Sequence, residues 1–380
     1  MARLLTFPIT SHPSSSASSV NQSSDPGREN AEDLGRKASE RLWNYVPVCS
    51  TDKVTQVLNV FVNYLPKDGA LILLQDIVDL TNDKDLRQLH DHLVDAILKP
   101  FRAIGGKTPA PTRATLSETE EDISSLSTTS MGSSSRADQT TVQNACLKRD
   151  GYRCKLTGFF DRKSVKENVS VLEAKEKAQA RASSTEAAHI IPFALGKFDE
   201  DNLKEAENKA TIWTCLNRYF PGLEKVVSSE TINSPSNAIT LYHTVHNHFG
   251  ALGVTLEARS QPHVYNIVRY TDDDPDLDSL PNGQITFECH DSSVPMPSTF
   301  LLSVHAKIGK ILHTSGMATL LDHLIDTSEL PSQIDPKGST EIGSMIARRL
   351  LLLTSHQEDW NDTSENDGGR ERQKGPWEKV

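Results

Sequence analysis

The sequence predicts an α+β protein, and three patterns carry that prediction. Residues 36–103 repeat apolar side chains at helical spacing. A central region reads as strand, connection, strand and helix, and two alternating segments after it are followed by further helical stripes.

In chain order, residues 1–35 are dominated by Ser, Asn, Pro and Gly and are expected to be disordered, because they bury too little apolar surface to offset ordering entropy. The opening MARLLTFPITSHPSSS is too short and broken an apolar stretch for a secretory signal, and its lack of acids before Asp25 is a faint transit-peptide feature. From 36 to 103, Val54, Val57, Leu58, Phe61, Tyr64 and Leu65 fall on one stripe and Leu86, Leu89, Leu93, Val94, Ile97 and Leu98 on another, with Pro66 and Pro100 read as stops. With the apolar run 71–80 between them, this is a helical N-terminal domain without a catalytic grouping. Residues 104–138, including SSLSTTSMGSSSR, read as a disordered linker with phosphorylatable composition. A central domain spans 139–270. The segments HVYNIVRY (263–270) and QITFECH (284–290), joined by TDDDPDLDSLPNG, read as a hairpin within a C-terminal extension, 271–354. Helices are expected at 298–314, 317–327 and 340–354, and a loose tail at 355–380.

Composition limits the function classes. The chain has 380 residues, 36% hydrophobic and 6% aromatic, which is lean for a fully compact enzyme of this size. No apolar run approaches the roughly 18 residues of a membrane span, so no membrane partner is expected. Five cysteines, never arranged as CxxC, imply neither a disulfide framework nor a four-cysteine zinc site; the expected setting is intracellular, nucleus or cytoplasm. The net charge of −11 argues against a broad basic surface. Residues 141–270 nevertheless hold 17 Lys and Arg against 14 Asp and Glu, which leaves −14 for the flanks.

Three stretches of the central region carry chemistry: CLKRDGYRCKLTG (146–158), STEAAHIIPF (184–193) and NAITLYHTVHNHFG (237–250). Their order resembles the HNH nuclease domain, the ββα-metal finger, and most closely a filamentous-fungal subgroup with a CxxTG start and an ExAHIIP core. The resemblance covers about 141–270, and HAKIGKILHTSG (305–316) also resembles that subgroup's C-terminal extension. It implies an α+β ββα finger with an inserted helix, flanked by the helical N-terminal domain and the hairpin-plus-helix extension. It also implies a metal-dependent endonuclease acting on nucleic acid, DNA ahead of RNA. The alternative is a catalytically impaired HNH-fold module for nucleic-acid binding or protein interaction.

Phosphodiester hydrolysis needs an activated water, neutralisation of charge on the phosphoryl oxygens and help for the departing oxygen. A neutral imidazole can take the water's proton if its ring is held in the right tautomer. The resemblance assigns the base to His189, the orienting asparagine to Asn237 and a metal ligand to His246, nine residues beyond that asparagine. Where better-known members carry a second ligand, this chain has Ala188. Strand alternation points Glu186 to the same face as residue 188, so Glu186 and His246 are the expected protein ligands of Mg²⁺ or Mn²⁺. The single Cys154 departs from CxxC relatives, and no structural zinc is expected. The 47 residues between His189 and Asn237 contain a helical stripe, Ala206, Ala210, Trp213, Leu216 and Phe220, expected to pack on the finger. Arg149, Arg153 and Lys155 are candidate phosphate contacts, beside Arg162 and Lys163. His305, His313 and His323 are expected to be structural.

Overall fold

The structure, a computed structural model, describes residues 26–104, 130–196, 203–270 and 274–327. The expected helix at 340–354, the tail and most of both polar segments lie outside these residues. The chain divides into two units, Met1–Leu321 and Asp322–Val380. Of the second, only residues 322–327 are described, and they are helical; all that follows concerns the first.

The helices and strands follow in chain order as α1 (Pro26–Trp43), α2 (Val54–Tyr64), α3 (Lys67–Asp79), α4 (Asp83–Leu93), α5 (Lys99–Ile104), α6 (Ser130–Arg149), β1 (Phe160–Asp161), α7 (Arg162–Glu167), α8 (Val169–Lys177), β2 (Ala182–Ser183), β3 (Thr185–His189), α9 (Leu203–Tyr219), β4 (Ala238–Tyr242), α10 (His243–Gly250), β5 (Val254–Ala258), β6 (Val264–Arg269), β7 (Gln284–Thr286), α11 (Thr299–Thr314) and α12 (Met317–Thr327). Helices dominate and the strands are short, an α+β arrangement.

Both stretches expected to be disordered contain helix where they are described. Helix α1 begins at Pro26, a residue suited to a helix's first position because its missing N–H would have no partner there. Asp33 pairs with Arg36 and Lys37 one turn on, and Ala38 and Leu42 are buried. Helix α6 begins at Ser130, and from Ser133 to Arg149 neither proline nor glycine interrupts it. Pro100 also fails to stop its helix. A π-type turn, Val94–Leu98, ends α4, and the proline falls in the first turn of α5, where no backbone donor is required.

The stripe on α2 is buried as its spacing predicts, through Val54, Val57, Leu58 and Phe61. Helix α11 buries nine residues against β5 and α2, which ties the C-terminal side to the N-terminal helices. The inserted α9 packs on α3 and the 94–98 turn, so its apolar stripe serves the N-terminal helices. Gly69 permits the closest approach: a Cβ there would stand 1.9 Å from the Tyr219 carbonyl oxygen. Toward the 193–196 turn, Lys209 Nζ donates to Ala194 O and Trp213 Nε1 to Leu195 O at 3.1 Å.

Three small sheets complete the fold. β1 pairs in parallel with β2, β3 antiparallel with β4, and β5, β6 and β7 form an antiparallel sheet in that order. The expected hairpin is β6 and β7, and β5 adds a third strand that the hairpin reading leaves out. β7 ends at Thr286, short of residue 290, because Phe287 turns inward onto Tyr265 and the His290 N–H bonds the end of α6 at Arg149 O, 2.8 Å away.

Candidate metal and nucleophile-activating site

The site lies where β3, β4 and α10 meet. The register sets Glu186 opposite Leu241 and His189 opposite Ala238. Ala187 packs with Val142, Cys146 and Ala238, against α6. Alternation therefore turns Glu186 and Ala188 the other way, and α10 packs on β3.

Helix α10 starts directly after β4, so His243 and His246 come one turn apart on a single face. Glu186 meets both. His246 donates Nδ1–H to Oε2 at 2.6 Å, and His243 Nδ1 lies 3.0 Å from Oε1. His246 is buried and His243 largely exposed. Burial works against the charged Glu186 carboxyl, but the bonds and charges of His246 and then His243 outweigh it and hold it below its ordinary range. Glu186 and His246 thus converge from separate elements, while Ala188 is fully buried and offers no donor atom. His243, one turn before His246 in the sequence, joins it as a second imidazole partner of Glu186 rather than replacing it.

His189 ends β3 with 8% of its surface exposed. Its Nε2–H donates to Asn233 Oδ1 at 3.1 Å, its ring lies 5.1 Å from that of Phe193, and its Nδ1 meets no partner among the described residues. Desolvation, only partly offset by the Asn233 bond and reinforced by the charge of His246, pushes its pKa down to about 4. The ring is therefore neutral at ordinary pH, with one nitrogen able to accept a proton.

Asn237 does not touch that ring. It is buried and clamps backbone: Oδ1 accepts from the Ile191 N–H at 2.9 Å, and Nδ2 donates to Ile191 O and Ile232 O at 3.0 and 2.9 Å. The amide that meets the ring is instead that of Asn233, four residues earlier in the same turn. Nothing in the sequence set Asn233 apart from other loop polar residues.

The basic cluster divides. Arg149 is fully buried and cannot reach a phosphate. It forms a two-pronged pair with Asp150, each bond 2.8 Å, and donates to the carbonyls of Pro235, Ala238 and Pro295. Asp150 in turn accepts the Thr240 N–H, so this ion pair anchors β4. Arg153 and Lys155 are partly exposed. Arg153 bonds His290 Nε2 at 3.0 Å and lies over Phe160, while Lys155 donates to Glu288 O and lies over Phe287, where burial lowers its pKa.

Among the described residues, His248, Asp274 and Asp276 bring three potential ligand atoms within 4.8 Å of one another. Residues 246 and 248 lie two apart on α10, so the two donor sets occupy different faces. Both combine imidazole with carboxylate, chemistry that fits a divalent cation. His305 and His313 are built into the core: each Nε2 bonds a backbone carbonyl, Phe249 O and Leu252 O, and each ring stacks on an aromatic neighbour. The side chain of His323 lies outside the described residues.

Residues 154–257 match the family model described as HNH endonuclease, a segment that leaves most of the chain outside it. No curated protein matches the chain. No solved structure does either.

Proposed function

Because residues 154–257 form an HNH endonuclease-family domain, we propose that this protein is a metal-dependent endonuclease that hydrolyses phosphodiester bonds in nucleic acid, DNA ahead of RNA. The observation that carries the reading is the meeting of Glu186 and His246 within electrostatic reach of a neutral His189, whose Nδ1 has no partner among the described residues. β3, β4 and α10 are, on this reading, the ββα finger, with α9 as its insertion.

Glu186 and His246 would hold the cation, Mg²⁺ or Mn²⁺, which when bound would offset negative charge gathering on the phosphoryl oxygens. His189 Nδ1 takes a proton from a water molecule as that water's oxygen bonds to phosphorus. The bond from phosphorus to the departing sugar oxygen then breaks, and that oxygen gains a proton from solvent. Phe193 shields one side of the ring from water and helps keep it neutral. Asn237 holds the backbone immediately after the base, and Arg153 and Lys155, both partly exposed, would touch phosphate without reading bases.

The protein is proposed to be intracellular, a reading supported by five free cysteines. Residues 36–103 and 271–354 are proposed as flanking domains, and the net negative charge of residues 271–354 is proposed to restrict access to the finger. A second reading, an HNH-fold module with impaired catalysis, is favoured by one observation, the buried Ala188 where a ligand would stand. Plasmid nicking with Mg²⁺ or Mn²⁺ separates the two. Cleavage abolished by His189→Ala and lost by at least about a hundredfold in Glu186→Gln supports the enzyme. No metal-dependent cleavage of DNA or RNA by the wild-type protein supports the module.

A further inference from the structure

We infer that Asn233 is the positioning residue that fixes the tautomer of His189, holding the proton on Nε2 and leaving Nδ1 as the basic nitrogen. The inference builds on the nuclease reading, and its spectroscopic test stands apart from it.

Three observations combine. Asn233 Oδ1 lies 3.1 Å from His189 Nε2, and an amide oxygen can only accept, so the nitrogen facing it carries the proton. The other ring nitrogen, Nδ1, is buried and meets no donor or acceptor among the described residues. Among those residues no other bond therefore competes for the tautomer. The third observation concerns Asn237. Its side chain grips Ile191 O and N–H, two residues after His189, and Ile232 O, the residue before Asn233. Both ends of the His189–Asn233 contact thus hang on one buried amide. Asn237 acts on the ring through the backbone, and Asn233 is the group that touches it.

The carrying step is geometric. A ring free to exchange tautomers would spend part of its time with Nδ1 protonated and unable to accept a proton from water. A fixed acceptor at Nε2 removes that population, as outer partners of functional histidines commonly do.

The test is ¹⁵N NMR of the full chain labelled at its histidine rings, with His189 assigned by its loss in His189→Gln, at a pH where the ring is neutral. The expected wild-type spectrum shows Nε2 protonated and Nδ1 bare. Asn233→Leu, which removes the acceptor while keeping a branched side chain, is expected to give mixed tautomers and a cleavage rate lower by about 10- to 100-fold at an unchanged melting temperature. Asn233→Asp, which keeps an oxygen at the same reach, is expected to restore the single tautomer. A wild-type ring protonated on Nδ1 overturns the inference without recourse to any variant, as does an Asn233→Leu ring that keeps the wild-type signature. If the tautomer behaves as expected but no nucleic acid is cut, the positioning role stands and the nuclease reading fails.

Discussion

At the scale of single residues, the same charge type does opposite work at neighbouring positions. Arg149 and Arg153 lie four apart in a basic stretch, yet Arg149 is sealed against Asp150 and three carbonyls while Arg153 faces outward. Their substitutions should separate accordingly. Arg149→Met leaves Asp150 as an uncompensated buried charge and is expected to destabilise the fold by about 3–5 kcal/mol. Urea denaturation measures that loss. Arg153→Ala is expected to leave stability nearly unchanged, weaken nucleic-acid binding across all sequences and reduce the salt slope by about one. Equal and small stability losses in both variants would contradict the buried placement of Arg149.

At the scale of elements, the site depends on how two strands and a helix meet. The β3 and β4 register brings Glu186 into reach of α10, which begins without a loop after Tyr242. Farther out, α9 is held to α3 through an approach that only glycine allows. Gly69→Ala would drive a methyl into the Tyr219 carbonyl and is expected to lower stability by about 1–3 kcal/mol, seen as a lower melting temperature. Nicking activity per folded molecule should change much less, because the packing of α9 on α3 lies away from Glu186, His189 and His246, and α9 reaches the 193–196 turn through hydrogen bonds of Lys209 and Trp213. The helical stripes, the alternation of β3 and the hairpin were readable because each follows from a local period. The packing partner of α9 was not, since its apolar stripe says only that some surface covers it. Pro100 misled for a related reason: proline forbids a continuing helical donor, but a π-type turn removes the need for one.

For the whole molecule, two buried histidines set an acid limit. His189 and His305 both have pKa values pushed down to about 4 by desolvation, from an ordinary 6.5. Between pH 6.5 and 4 the unfolded chain therefore binds more protons than the folded one, so stability should fall as pH drops through that window and level off above it. Urea midpoints measured from pH 4 to 8 check this. His305→Gln keeps a donor for Phe249 O and cannot titrate, so its stability should vary less steeply with pH. A wild-type stability independent of pH between 4 and 6.5 would refute the buried neutral state of both rings.

The sequence by itself determined the α+β class, the presence of a carboxylate and two imidazoles on a strand and the helix that follows, and the side of the strand on which Glu186 stands. These follow from periods of two and 3.6 residues, which any short stretch of chain displays. Only the tertiary structure decided that Asn233 rather than Asn237 meets the His189 ring, that Arg149 is an internal anchor, and that α9 belongs with the N-terminal helices. Each of those outcomes depends on which distant group fills a particular space. A side chain's own sequence neighbourhood holds no record of that choice.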